Sequence, residues 1–193
     1  MPTGIKDTER RERIARAAIR VVAESGVEGL THRAVATAAD VPLGSTTYYF
    51  DSLDDLLGAA LSEAMAIGVE RFGAWSEQLS ADSDLASALA SLLVEVTGPN
   101  REWTVVEYEL YVAALRRPSL QHLSLEWADA IRSILNKHVD PLTAEALSLA
   151  SDGIALKSLI RGSPLTSAEV EPVLRRIING QADAAGADLG FDR

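Results

Sequence analysis

Hydroxyl and phenol side chains are concentrated in residues 43–49, the stretch best equipped to contact a phosphate or a base edge. If it is helical, Gly44, Thr47 and Tyr48 share one face, because they are three and four residues apart. Glycine lets the backbone approach a phosphate, hydroxyls hydrogen-bond it, and phenols also press on a thymine methyl group. The pattern predicts a DNA recognition helix; the plainer interpretation is the core of a helical bundle.

A second candidate group precedes this stretch, at Thr31, His32 and Arg33. Thr31 is a suitable helix N-cap, and Leu30 and Val35 have the spacing of a hydrophobic staple around it. The free amides and the dipole of such a helix terminus attract phosphate. We therefore predict that these three residues hold a nucleic-acid backbone.

The surrounding residues predict a helix-turn-helix. A first helix runs from Asp7 or Thr8 to about Glu24 and is stopped by Gly26. It places apolar residues on one face (Ile14, Ala18, Val21, Val22) and arginines off it (Arg10, Arg13, Arg16, Arg20). A second helix ends around Ala38, a turn follows at residues 39–41, and a third helix opens at Pro42. Thr46 and Phe50 face inward with Val35 and Val41.

Longer helices are predicted for the rest of the chain, so the fold class is all-α: a three-helix head and a larger helical bundle. We place the DNA-binding domain at residues 1–51 and a ligand-sensing and dimerisation domain at residues 52–193. The predicted helices are Ser52–Leu79, Ser83–Val96, Arg101–Arg116, Ser119–His138, Ala144–Ile160 and a last one ending near Gln181. Thr166 and Glu169 resemble a capping box, yet Pro172 requires that last helix to kink or to begin there.

Charge is distributed unevenly along the 193 residues. The net charge is -10, but residues 1–50 carry seven Lys or Arg against six Asp or Glu. The acidic excess therefore lies in the later residues, and the first fifty are the only part electrostatically suited to DNA. Arg10, Arg11 and Arg13 are balanced by nearby acids and are interpreted as a solvated helix face.

Several function classes are disfavoured by composition. The chain has no cysteine and only three histidines, His32, His122 and His138, without metal-ligand spacing, so no metal and no cofactor are expected. Neither a signal peptide nor an apolar run long enough for a bilayer is present, which predicts a soluble cytoplasmic protein without a membrane partner. A helical enzyme stays a remote alternative, because no nucleophile elbow or phosphate loop occurs.

Residues 10–57 resemble the tetracycline-repressor (TetR) family, above all Val41–Phe50 followed by Ser52 and the Asp54, Asp55, Leu56 stretch. The resemblance implies that the third helix enters the major groove. It also implies DNA contacts at His32, Arg33, Leu43, Gly44, Ser45, Thr47, Tyr48 and Tyr49. Four residues depart from the usual family pattern: Asp40, Pro42, Thr47 and Leu53. Leu53 replaces a common phosphate-binding lysine, which predicts lower salt dependence of DNA binding.

Most aromatic residues of the later helices suggest a ligand site. Trp103, Glu107 and Tyr111 fall on one helical stripe, and a carboxylate among aromatics is costly without a cation or donor. As a site, the stripe would form a pocket for a lipophilic small molecule, including a cationic one. The plainer interpretation, which the pattern favours, is that Glu107 reaches solvent or pairs with an internal arginine. The candidate ligand residues are Phe72, Trp75, Trp103, Glu107, Tyr108, Tyr111 and Trp127.

The resemblance also implies a homodimer formed by two late helices of each subunit. The matching stretch is Leu147, Ala150, Gly153, Ile154, Leu156, Lys157, Ile160, Val173, Leu174 and Ile177. The whole predicts a one-component regulator, acting as a repressor and released from a pseudo-palindromic double-stranded DNA operator by a small-molecule effector. A ligand-independent architectural DNA-binding protein is the alternative.

Overall fold

The computed structural model describes residues 3–186, and the side chains of residues 8–180. That part of the chain contains nine α-helices and no strand, so the predicted all-α class is confirmed. The helices are α1 (Thr3–Ser25), α2 (His32–Ala39), α3 (Leu43–Tyr49), α4 (Leu53–Glu77), α5 (Leu85–Thr97), α6 (Arg101–Ala113), α7 (Gln121–Leu135), α8 (Pro141–Arg161) and α9 (Ser167–Gly186). Short 3-10 turns lie at Val27–Gly29, Ala114–Arg116 and Pro118–Leu120.

The first three helices form the predicted helix-turn-helix. The Thr31 hydroxyl caps α2 by accepting a hydrogen bond from the amide of Ala34 at 3.1 Å. Asp40 ends α2 in the left-handed conformation, with φ of 52°, which is the role expected of an Asp in the turn. Pro42 is the N-cap of α3, which begins at Leu43, one residue after the predicted start at Pro42.

Contacts divide the described chain into two compact units. One holds the residues up to Arg71 together with Glu102–Trp127, and the other holds Phe72–Arg101 together with the residues from Ala128 on. These units group residues by contact, and the division into functional domains at residues 51 and 52 stays a prediction. The outermost residues of both predicted domains, 1–2 and 187–193, lie outside the described residues.

The core of the first unit joins the head to α4 and α6. Ile14, Ala18, Val21 and Val22 of α1 are buried as predicted, together with Val35 and Phe50. Leu57 and Leu61 of α4 and Val106, Leu110 and Ala114 of α6 belong to the same apolar cluster. The helix-turn-helix is therefore packed directly on α4 and α6.

In the second unit, α5, α8 and α9 pack on one another. Asp84 caps α5 and binds Arg175 of α9 at 2.5 Å, and this bond and the cap hold the pKa of Asp84 below its usual range. The Thr166 amide donates to Glu169 at 3.0 Å, one half of the predicted capping box. Because α9 begins at Ser167 and contains Pro172, the alternative that it begins at Pro172 is wrong.

Other helix ends differ modestly from prediction. α1 begins four or five residues early, and α8 begins at Pro141 because Asp140 caps it with bonds to two amides. α6 ends at Ala113, where the chain turns to 3-10 geometry. Within residues 3–186, no helix combines the length and apolarity needed to cross a bilayer.

Candidate functional site

The outer surface of α3 presents the residues predicted to contact DNA. Tyr48 is 74% exposed, and Leu43, Gly44 and Thr47 are exposed beside it. The ring of Tyr49, half-buried, meets the ring of Tyr48 edge to face with centroids 5.0 Å apart. The phenol of Tyr48 is thus supported at its base while its hydroxyl end reaches solvent.

The opposite face of α3 attaches it to the head. Thr46 is fully buried, and its hydroxyl donates to the carbonyl of Leu43 at 2.8 Å and lies 3.4 Å from the carbonyl of His32. Phe50 is buried beyond the end of the helix. The inward roles predicted for Thr46 and Phe50 are confirmed, and the first turn of α2 is brought against α3.

Gly44 is not required by the fold. A Cβ built at this position meets no other atom within 4 Å, and the residue has no left-handed backbone. Glycine within a helix costs about 1 kcal/mol relative to alanine. The open space above Gly44 is consistent with close approach of a molecule outside the chain.

The start of α2 supplies the second predicted contact surface. Thr31 and Arg33 are exposed and border a surface groove of about 550 Å³ on α1 and α2. His32 is half-buried, and its Nδ1 has no hydrogen-bond partner among the described residues. Arg20 of α1 donates to the carbonyl of Ala38 at 2.6 Å and so fixes the other end of α2.

Five of the seven predicted ligand residues, Glu107 among them, lie in the first unit and are linked by contacts. The indole nitrogen of Trp103 donates to Glu107 at 2.5 Å, and the rings of Tyr111 and Trp127 meet edge to face at 5.4 Å. Tyr108 contacts Tyr111, with centroids 6.5 Å apart. We call Trp103, Glu107, Tyr111 and Trp127 the α6 cluster.

Burial raises the pKa of Glu107, against smaller lowering effects of the Trp103 hydrogen bond and the charge of Arg71. This carboxylate is half-buried and bonded to an indole, and among the described residues it forms no ion pair with an arginine, although the charge of Arg71 acts on it. A buried carboxylate with a neutral donor gains most from a nearby cation.

Gly68 of α4 lies against the α6 cluster. A Cβ at this glycine would stand 3.0 Å from Glu107 Oε1 and 3.5 Å from Trp127 Nε1. That indole nitrogen is buried and has no hydrogen-bond partner among the described residues. Phe72 and Trp75 belong to the second unit, where their rings stack with centroids 4.9 Å apart.

The predicted dimer residues of α8 and α9 divide by burial. Leu147 and Leu174 are completely buried within the chain, so they cannot present surface to a second subunit, and we correct their assignment. Gly153, Leu156, Lys157, Ile160 and Val173 are exposed, while Ala150, Ile154 and Ile177 are half-buried. Large apolar side chains lie exposed along α8 at Leu142, Leu149, Leu156 and Ile160.

Similarity to known proteins decides the family. Residues 80–180 match the family described as tetracyclin repressor-like, C-terminal domain. The chain is 47% identical to the multidrug binding protein EbrR in its imidazole complex, over 88% of this chain and 94% of that one, with a TM-score of 0.80. The chain belongs to the TetR family of transcriptional regulators.

Two further relatives agree with this TetR-family assignment. A TetR-family member from Streptomyces coelicolor A3, SCO1917, is 47% identical over 88% of this chain and 98% of that one, with a TM-score of 0.77. The HTH-type transcriptional regulator PksA of Bacillus subtilis is 26% identical over 178 residues, 83% of each protein. The prediction of a helix-turn-helix transcriptional regulator is confirmed.

Sequence reasoning missed three features of this TetR-family regulator. Gly68 joins the α6 cluster through a contact between helices far apart in sequence, and only a glycine at helix centre could have drawn attention to it. Arg117 binds Asp54 at 2.9 Å and the carbonyl of Ala113 at 2.9 Å. The apolar stripe of α8 was missed in part, since Leu142 and Leu149 lie outside the predicted set.

In the part of the chain that the structure describes, no three His, Asp or Glu side chains form a group that could hold a metal ion.

Proposed function

We propose that this regulator is a homodimeric, cytoplasmic repressor that binds a pseudo-palindromic DNA operator and is released by a lipophilic cationic effector. The observation that carries the DNA part is the exposed α3 surface, with an outward Tyr48 and a glycine that the fold does not need. Its role is binding, and we assign it no catalytic step. One recognition helix reads few base pairs, so two copies are needed for specificity.

The stripe on α8 supports the dimer. Leu142, Leu149 and Leu156 are seven residues apart and Ile160 follows four later, which places them on one side of the helix. Leu142 is 79% and Ile160 is 78% exposed. A stripe this long, with exposed Gly153 permitting close approach, fits an isologous contact with a second copy.

Oligomeric state tests this assignment. Leu149→Glu should convert the protein from dimer to monomer in sedimentation, because a charge would be buried in the interface. Leu115→Glu is the matched control, since Leu115 is an exposed leucine of the other unit. Monomeric wild type at micromolar concentration would overturn the dimer.

The effector class follows from the α6 cluster and from the relatives. EbrR has been crystallised with ethidium, proflavin and malachite green, and is 44–47% identical to this chain. In this chain Glu107 offers a negative charge among three aromatic rings, an arrangement that attracts an aromatic cation. We expect the effector to bind there.

α6 supplies a physical link between effector and DNA. One side of α6 carries Glu107, while Val106 and Leu110 lie in the apolar cluster shared with α1. At the end of α6, Arg117 connects the carbonyl of Ala113 to Asp54 in the first turn of α4, close after α3 in sequence. A displacement of α6 by the effector would reach the recognition helix through both contacts.

Selection of duplexes from a randomised DNA library tests the proposal. The selected sequence should be a pseudo-palindrome, and its affinity should fall when (naphthalen-1-ylmethyl)trimethylammonium, a permanent aromatic cation, is added. This naphthyl probe has a smaller ring system than tricyclic intercalating dyes, and operator without protein is the control for its direct binding to DNA. Failure to enrich any sequence would overturn the proposal of sequence-specific operator binding. Enrichment of a sequence whose affinity the probe does not change would favour an architectural DNA-binding protein.

A further inference from the structure

We propose that the effector of the α6 cluster is recognised at two points, by its positive charge at Glu107 and by a hydrogen-bond acceptor at Trp127 Nε1. Gly68 of α4 lies against both groups, and a side chain there would contact both. This inference rests on the proposed effector site and narrows its ligand class to aromatic cations that carry an acceptor atom, such as an aza-arene nitrogen or a carbonyl oxygen.

The indole N–H of Trp127 is an unused donor. It is buried and has no hydrogen-bond partner among the described residues. More than nine in ten buried polar groups in proteins are paired, because an unpaired donor loses its bond to water on burial. The edge contact of the Trp127 ring with Tyr111 opposes rotation of the indole toward another acceptor. An acceptor on the ligand would satisfy this group.

The two indoles of the α6 cluster differ in this respect. Trp103 donates to Glu107, so its N–H is already satisfied within the protein. Trp127 Nε1 lies near Gly68, as Glu107 does, but has no hydrogen-bond partner among the described residues. The carboxylate and the unpaired donor are therefore complementary to a ligand bearing both a charge and an acceptor.

Gly68 determines how much space these groups share. The point where its Cβ would stand lies 3.0 Å from Glu107 Oε1, tighter than most real contacts, and 3.5 Å from Trp127 Nε1. A side chain at this position would crowd both the carboxylate and the donor. Because glycine weakens a helix, its presence inside α4 indicates that this position must stay free of a side chain.

A pair of nearly identical probes tests the second recognition point. The naphthyl probe has no acceptor, whereas its quinoline isosteres replace one ring CH by nitrogen at different positions. Calorimetry gives the ratio of quinoline to naphthalene affinity for each isomer. We expect at least one isomer whose ratio falls about fivefold in Trp127→Phe, which keeps the ring but loses the donor. The exposed Glu109→Gln, on the same helix as Glu107, should leave all ratios unchanged.

Gly68→Ala provides the test of the space. It should weaken both probes about tenfold or more, since the added methyl group fills the region they occupy. A matched control is Gly73→Ala, also in α4, where a Cβ meets no atom within 4 Å. If Gly68→Ala does not fold, Trp127→Phe carries the test alone.

The possible outcomes separate this inference from the proposed function. If the ratio of quinoline to naphthalene affinity is the same in wild type and Trp127→Phe for every isomer, Trp127 Nε1 does not recognise an acceptor. The proposed cationic effector would be unaffected by that result. Unchanged affinity in a folded Gly68→Ala would overturn the role of the glycine. Absence of binding by every probe to wild type would overturn the proposed effector class, and this inference with it.

Discussion

The α3 surface and the α6 cluster use polar aromatic residues in opposite ways. Tyr48 projects into solvent, where water satisfies its hydroxyl until a partner replaces it. In the α6 cluster, a half-buried carboxylate is bonded to an indole, and a buried indole N–H has no partner among the described residues. A surface that contacts a large partner can leave its groups hydrated, whereas a site for a small molecule gains specificity from groups that water cannot satisfy.

The difference has an energetic consequence. Substitutions on an exposed surface change binding with little effect on stability, whereas substitutions in a buried cluster change both. Variants of the two regions should therefore separate in a plot of affinity against melting temperature, and the predictions below test that separation.

Tyr48→Ala is expected to have the largest effect on DNA binding. Loss of the exposed phenol should weaken binding to the selected operator by on the order of 1 to 3 kcal/mol, measured by fluorescence anisotropy. Helix content, dimerisation and affinity for the naphthyl probe should stay unchanged. Tyr48→Phe distinguishes the hydroxyl from the ring. Wild-type operator affinity in Tyr48→Ala would remove Tyr48 from the DNA surface.

Glu107→Gln should act on the ligand and not on DNA. We expect the naphthyl probe to lose about tenfold in affinity, because its charge loses its counter-ion, while operator affinity changes little. The exposed Glu109→Gln, on the same helix, is the control. A shift in melting temperature without any change in probe affinity would show that Glu107 is only structural.

Gly44→Ala should move stability and DNA affinity in opposite directions. Alanine has room within the protein and favours the helix, so unfolding should cost up to about 1 kcal/mol more. The added methyl group should nevertheless weaken operator binding, because it faces the approaching DNA backbone. Increased stability with unchanged operator affinity would mean that DNA does not come close to Gly44.

The contributions of Glu169 and Glu107 to protein stability should depend on pH with opposite sign. Hydrogen bonds from Arg161 and Thr166 lower the pKa of Glu169 to about 2, so its stabilising contribution is complete above its ordinary pKa and is lost as pH falls toward 2. The pKa of Glu107 is raised, so its contribution to stability is lost as pH rises through that pKa. The difference in melting temperature between wild type and each variant, Glu169→Gln or Glu107→Gln, measured against pH, gives the two contributions. Differences that change with pH in the same direction would contradict the opposite signs.

The naphthyl probe should report the same titration of Glu107. Its affinity should increase as pH rises through the raised pKa, because only the ionised carboxylate attracts the cation. Glu107→Gln should give a flat profile, and a profile identical to wild type would assign the titration to another group.

The head could be predicted from sequence because its signals are local. Thr31 specifies a helix cap, Asp40 specifies a turn, and the spacing of Thr46 from Phe50 specifies the inward face of α3. Each of these signals lies within a few residues. The register of the dimer face was less accessible: Leu147 and Leu149 are equally apolar, and only packing shows that the first is buried and the second exposed.

The α6 cluster shows a different limit. The stripe of Trp103, Glu107 and Tyr111 follows from helical spacing, and its meeting with Trp127 requires knowledge of how α6 and α7 pack. A glycine at the centre of α4 is the one local signal for Gly68, and the Trp127 nitrogen, which has no partner among the described residues, has none. Contacts between distant helices cannot be read from one sequence.

The central claim is that DNA and effector are coupled through the protein, and calorimetric titration of the naphthyl probe with and without the selected operator tests it most directly. Effectors typically couple to their partners by 1 to 3 kcal/mol, so operator should weaken probe binding about fivefold to 150-fold, and the probe should weaken operator binding by the same factor. Identical probe affinities in the presence and absence of operator would contradict the coupling.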